Sequence, residues 1–231
     1  MPMPYYVSPE QMMQDKAEYA RKGIAKGKSL MALEYADGII LAAENPSSSL
    51  SKISEIYDCI SFAGVGKYGE FENLRKSGIR YADIKGYTYS RADVTGKSLA
   101  NAYSQVIGNI FTKEIKPLEV EILVVEVGDT PEKNSMYHIS FDGSIIDYHR
   151  YAVIGGHADV VNTFLREHYQ DNLPLNRALA LCRKALENTT ENNRIQEDHL
   201  EIAILDRKIE GRKFRRIAPV EITELLKSEL K

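Results

Sequence analysis

Apolar positions change period several times along the chain, and each change marks a predicted element. Ser8-Pro9-Glu10-Gln11 has the form of a helix start, with Ser8 as N-cap, Pro9 at the first helical position and Gln11 able to close a capping box. Met13, Ala17, Ala20 and Ile24 follow at helical spacing, and Gly23 and Gly27 place its end nearby. Short apolar runs come next, at 30–36 and 39–43, with Asp37-Gly38 between them as a hairpin signal. A second pair, 53–57 and 60–65, pivots on Asp58-Cys59. Helical spacing returns in Phe71, Leu74, Gly78, Tyr81 and Ala82, then in Leu99, Ala102, Tyr103, Val106 and Ile110, with a polar, loop-like stretch at 85–94.

The second half repeats the alternation. Strands are predicted at 120–127, 137–141, 144–148 and 151–154, with Asp142-Gly143 turning one hairpin. Helices fit Ala158, Val161 and Leu165, then Leu175, Leu179, Cys182 and Leu186. A last strand pair falls at 200–206 and 213–217, and Pro219 opens a final short helix. Hairpin-linked strands alternating with helix pairs predict an α+β fold of antiparallel sheets covered by helices, not the strand-helix-strand order of a Rossmann sheet. No repeat or long linker divides the chain, so residues 1–231 read as one domain with a charged C-terminal segment at 207–231.

Charge and composition remove several functions. Thirty basic against 33 acidic residues give a formal charge of -3, which makes no electrostatic case for nucleic acid or an anionic membrane. No window approaches a membrane span, and residues 1–9 lack a basic-then-apolar leader, so a cytoplasmic location is expected. Cys59 and Cys182 lie far apart in apolar segments and read as buried thiols of a reducing compartment. Asn188-Thr189-Thr190 matches a glycosylation acceptor, but without a secretory route it is a polar loop.

Motifs of other chemistry fail on spacing. Gly23 to Ser29 resembles a phosphate loop, yet it has three residues between its glycines where four are needed, and it leaves a helix rather than entering one. Gly96-Lys97-Ser98 lacks the first glycine, since Arg91 stands there. The histidines 138, 149, 157, 168 and 199 never pair on one helical turn, so neither a metal nor a cofactor is expected. No Gly-x-Ser-x-Gly elbow occurs.

Longer segments carry a resemblance. Ser8-Pro9, Glu18-Tyr19-Ala20 and Lys26-Gly27 resemble the N-terminal helix of proteasome α-type subunits. Ser51-Lys52-Ile53 with Ile56-Tyr57-Asp58, and then Gly64-Val65-Gly66, are similar to that family's next segments. So are Asp142-Gly143-Ser144-Ile145, Ala152, Ile154-Gly155-Gly156, Phe164-Leu165 and Tyr169 with Asn172-Leu173-Pro174. The Ser-Pro-Glu-Gln opening, Glu44-Asn45-Pro46 and residues 75–87 resemble most the bacterial, actinobacterial-type form. The resemblance implies a four-layer αββα sandwich of the N-terminal-nucleophile hydrolase type. It implies seven-membered homo-oligomeric α rings that cap catalytic β rings, gate entry and dock a ring ATPase for protein degradation.

By the same resemblance, Lys52 receives the C-terminal carboxylate of an activator tail, with Gly27 and Gly66 in the pocket wall as glycines that leave room for it. Thr112, Lys113, Glu114, Ile115 and Lys116 line a pore constriction. The gate falls to Met1, Pro2, Met3, Pro4, Tyr5, Tyr6 and Val7, which replace the Tyr-Asp-Arg segment of archaeal and eukaryotic relatives, and residues 8–22 form the N-terminal helix. Its Met13, Ala17, Ala20 and Ile24 stripe is expected against the sheet or against a neighbouring subunit. No catalytic residue is expected, because no threonine follows Gly27. Two rivals remain: an active N-terminal-nucleophile hydrolase, which would lose its first residues on maturation, and a self-assembling relative without β partner.

Overall fold

The computed structural model describes residues 8–189 and 194–229. Helix α1 (Pro9–Ile24) starts as its sequence requires: Ser8 is extended and its Oγ accepts from the Gln11 amide at 3.2 Å. The capping box does not form, because the Gln11 amide group donates forward to Asp15 at 2.8 Å. The buried face also differs from the expected stripe. Lys16, Ala20 and Ile24 are buried, Ala17 is half-buried, and Met13 is 37% exposed.

Ten strands make two five-stranded antiparallel sheets among the described residues. One sheet holds β1 (Leu30–Tyr35), β2 (Gly38–Glu44), β8 (Tyr151–Ile154), β9 (Leu200–Asp206) and β10 (Phe214–Ile217), in the order β10-β9-β2-β1-β8. The other runs β3 (Ile53–Tyr57), β4 (Ile60–Gly66), β5 (Val120–Glu126), β6 (Ser135–Ile139), β7 (Ile145–Tyr148). The loop between β1 and β2 is Ala36-Asp37, since Tyr35 pairs with Gly38, so the hairpin signal lies one residue off. Gly38 is needed for another reason: a Cβ there would stand 1.9 Å from the Leu205 carbonyl oxygen of β9.

Helices cover both outer faces, which gives the four layers expected. Helices α2 (Tyr68–Thr88) and α3 (Gly96–Lys113) pack on the β3–β7 sheet, where Phe71, Leu74, Leu99 and Tyr103 meet Phe62, Ile122 and Val124. Helices α4 (Ala158–His168), α5 (Leu175–Glu187) and α6 (Pro219–Glu229) cover the other, through Val161, Leu165, Leu179, Cys182 and Ile222. Between the sheets lie Leu30, Ala32, Ile39, Leu41, Ala63, Val65, Leu123 and Val125. Both faces of each central strand are therefore buried, which explains unbroken apolar runs such as Leu30-Met31-Ala32-Leu33 in antiparallel sheets.

Two helical expectations shift. Helix α2 continues to Thr88, followed by a single 3-10 turn at Arg91–Asp93, so most of the predicted loop at 85–94 is helical. In α3 the buried face is Leu99, Ala100, Tyr103 and Ile107, while Val106 is 47% exposed. The charged segment from 207 onward packs on the body of the fold through Arg207 and through helix α6. Arg207 donates to Gly128 O (2.9 Å), Ala36 O (3.1 Å) and Asn134 Oδ1 (3.0 Å). Of the cysteines, Cys182 is buried, whereas Cys59 sits half-buried at the β3–β4 turn; burial pushes both thiols up, to about 12 and about 11.

Candidate functional site

Helix α1 reaches β1 through a turn that brings distant segments together. The Gly27 amide donates to Ile24 O at 2.8 Å, and Gly27 O accepts from the Gly156 amide at 3.0 Å. A Cβ at Gly27 would lie 2.5 Å from Val65 Cγ1 and 3.3 Å from the Gly66 nitrogen, so these two glycines are neighbours. Gly66 ends β4 with φ +110, and a Cβ there would be 2.0 Å from Glu119 O. The room their missing side chains leave is thus filled by Val65 and Glu119, and the fold's own packing requires both glycines.

Lys52 enters this corner just before β3. Its Nζ donates to Glu44 O at 2.9 Å and to Lys28 O at 3.3 Å, and its carbonyl accepts from the Gly64 amide at 3.0 Å. The peptide is clamped by Glu201, whose carboxylate accepts from the Lys52 amide (2.9 Å) and the Ile53 amide (3.1 Å). Glu201 also pairs with Arg216 at 2.8 Å and Asn45 at 2.7 Å, so its charge is committed. Among the described residues no carboxylate ion-pairs with Lys52; Glu44 pairs with Lys28 instead, at 3.2 Å. Burial lowers the Lys52 pKa to about 8, with Glu201 and Glu44 opposing and Lys28 assisting. An ammonium with two carbonyl partners keeps one N–H to offer, and a carboxylate arriving there would satisfy it and restore its charge preference.

The segment expected at a constriction is split between elements. Thr112 and Lys113 close α3, Glu114 is its C-cap, and residues 114–116 bend outward, with Ile115 95% exposed. Lys16 of α1 holds the bend: its Nζ donates to Phe111 O at 3.1 Å and Glu114 O at 2.6 Å. A cation at a helix C-terminus satisfies carbonyls that have no partner within the helix and complements the dipole. The structure therefore brings Lys52, Gly27 and Gly66 together, and ties the 112–116 segment to the N-terminal helix. Met1 to Val7, expected as the gate, lie outside the described residues.

Lys16, Lys28, Glu44 and Glu201 were not anticipated from the sequence. Only Lys16 left a trace there, since it continues the Ala20–Ile24 line back by four residues. A family model described as proteasome subunit matches residues 24–205. The chain belongs to the proteasome subunit family. Its proteasome relatives include a proteasome subunit alpha of Actinosynnema mirum, 51% identical over 98% of this chain and 88% of that protein. Another, from Acidothermus cellulolyticus, is 51% identical over 98% of this chain and 99% of its own length. That of Kineococcus radiotolerans is 51% identical, with 98% of both chains covered. The two helix-covered antiparallel sheets are the sandwich of this proteasome family, of the N-terminal-nucleophile hydrolase type. No described helix is long and apolar enough to cross a membrane.

Proposed function

We propose that the chain is a non-catalytic α-ring subunit of a proteasome core, forming seven-membered rings on catalytic β rings, gating entry and docking a ring ATPase in the cytoplasm. The observation that carries the docking role is the Lys52 ammonium, desolvated, unpaired with any described carboxylate and set beside Gly27 and Gly66. A free C-terminal carboxylate is the complementary charge, and its arrival would complete the hydrogen bonds of Lys52. The non-catalytic reading is supported at the same corner. Lys28 and Ser29 follow Gly27, and the Ser29 hydroxyl is buried without a hydrogen-bonded base to activate it. The turn at 112–116 stands exposed and fixed by α1, as a pore-lining segment requires. Met1 to Val7, which are uncharged, supply the gate.

The experiment is Lys52→Ala in cores co-assembled with a catalytic β subunit, with assembly checked by size-exclusion mass. Stimulation of peptide hydrolysis by the ring ATPase should disappear in assembled particles. Full stimulation would overturn the docking role. Removing residues 1–7 should speed entry of a short fluorogenic peptide, and an unchanged rate would remove the gate from that segment.

A further inference from the structure

Glu119 is the residue where the Lys52 corner, helix α1 and the exposed turn meet. Its carbonyl accepts from the Lys67 amide at 2.9 Å and fills the place of a Gly66 side chain, so no gap separates it from the end of β4. Its amide donates to Glu70 Oε2 of α2 at 2.7 Å. Its carboxylate points the other way, accepting from Tyr19 Oη of α1 at 3.2 Å and pairing with Lys116 at 3.1 Å. Gly23 of α1 packs onto the same side chain, where a Cβ would stand 2.3 Å from Oε2.

We propose that Glu119 is a positioning residue through which a displacement of the pocket wall at Gly66–Lys67 is passed to the turn at 112–116. This rests on reading those two segments as carboxylate pocket and pore lining. The mechanics are those of a lever in a packed environment. On the pocket side, Gly27 bears on Val65 and on the Gly66 nitrogen, and Lys52 O holds the Gly64 amide. A chain pressed against that wall moves the Gly66 backbone, and Glu119 O, which fills the place of a Gly66 side chain and accepts from the Lys67 amide, moves with it. On the other side, the turn hangs from two ammonium groups. Lys16 grips Glu114 O, and Lys116 is shared by Glu119 and by Glu70 at 2.7 Å. If Glu119 shifts, its carboxylate either drags Lys116 and Tyr19 along or gives up both contacts. Either response changes the turn and α1 together. A residue that merely stabilised each segment separately would produce no dependence of one on the other.

The test is a double-mutant cycle read by amide hydrogen exchange on the full chain assembled with a catalytic β subunit. Gly27→Ala serves as a wedge built into the wall, since its Cβ presses on Val65 and Gly66. It should raise exchange at 112–119 several-fold in the otherwise unchanged chain. In the Glu119→Ala background, where the carbonyl remains but the carboxylate arm is gone, the wedge should still loosen 64–67 and no longer reach 112–119. Glu119→Gln, which keeps the Tyr19 contact, should fall between. An equal wedge effect at 112–119 in both backgrounds overturns the proposal. Should Gly27→Ala not assemble, Glu119→Ala and Lys116→Met test the link from the far end. Each should raise exchange at 64–67 as well as at 112–119, and a change confined to 112–119 overturns it. Lys52→Ala enters none of these measurements, so a non-additive cycle together with intact ATPase stimulation in Lys52→Ala would sink the docking role alone.

Discussion

The space between the two sheets and the corner where α1 meets β4 treat ionisable groups in opposite ways. Between the sheets, among Leu123, Val125 and Met136, lie Glu121 and His138, with 3.8 Å between Glu121 Oε2 and His138 Nε2. His138 is 9% exposed and neither ring nitrogen has a hydrogen-bond partner. Burial pushes its pKa down to about 4, against a small opposing pull from Asp142, and burial raises the carboxyl of Glu121. At the corner, Lys52, lowered to about 8, and Lys116, raised by its carboxylate partners Glu70 and Glu119, both remain ammonium groups near neutral pH. Burial lowers both buried bases, yet at neutral pH His138 loses its charge while Lys52, with Glu201 and Glu44 nearby and two carbonyls accepting from its Nζ, keeps it. The interior thus holds a neutral base without hydrogen-bond partners, and the corner a charged one with two carbonyl partners.

The largest expected effect lies in the interior. Phe62 is fully buried under α2 and α3, with its ring centroid 5.7 Å from that of Tyr103. Phe62→Ala should destabilise the chain by about 3–5 kcal/mol in urea unfolding, from lost burial plus a cavity. A loss as small as that of a corner substitution would break the division between the two regions. Next is His138. A folded pKa below the unfolded one means that the unfolded chain binds more protons, so stability is complete above pH ~6.5 and falls as pH drops toward 4. The loss should reach about 2 kcal/mol near pH 5. Glu121, shifted upward, acts in the opposite direction and holds its proton more tightly when folded, so it softens the acid limb. His138→Leu should flatten that limb, and an unchanged acid limb in the variant would remove His138 as its source.

How much of this was legible in the sequence follows the same division. Strand pairs could be read because runs such as Ile60 to Val65 are short, apolar and buried, whereas the four layers came from the resemblance. Helix faces were harder. Helix α3 carries apolar residues on two sides, so Val106 and Ile110 competed with Ala100 and Ile107, and only the packing against Phe62 and Ile122 decides. Asp37-Gly38 gave the hairpin but the wrong loop residues, because Gly38 answers to strand β9 rather than to a backbone angle. At the candidate site, Lys52, Gly27 and Gly66 came from resemblance to a family. Glu201 and Glu119 could not have come from spacing, since each acts on residues 149 or 100 positions away.

A smaller effect should mark the corner itself. Lys16→Met keeps the length of the side chain and removes the donors to Phe111 O and Glu114 O. Leaving those carbonyls short of partners should destabilise by about 1–2 kcal/mol, partly offset because a buried ammonium no longer has to be desolvated. Hydrogen exchange should then rise at 111–116 while the strands stay protected. Exchange rising equally in β1 and β4 would mean that Lys16 supports the whole sandwich and that corner and interior are not separate.

The smallest effect concerns the charge of Lys52, and it sharpens the contrast with His138. Both bases have depressed pKa values, but about 4 leaves His138 neutral at pH 7 whereas about 8 leaves Lys52 mostly protonated. For stability the sign is the same as for His138. The folded pKa lies below the unfolded one, so the unfolded chain binds more protons and stability rises as pH climbs from about 8 toward 10.5. Docking has the opposite sign, because a carboxylate needs the ammonium form. Apparent affinity for the ATPase should therefore be about halved near pH 8 and fall about tenfold per pH unit well above it. A bound carboxylate holds the proton in place, so saturating ATPase should move the midpoint upward. The measurement is half-maximal ATPase concentration for stimulated peptide hydrolysis from pH 6.5 to 9, on cores whose unstimulated rate is recorded at each pH. A concentration that does not change across that range would mean that Lys52 is not the charge the activator reads.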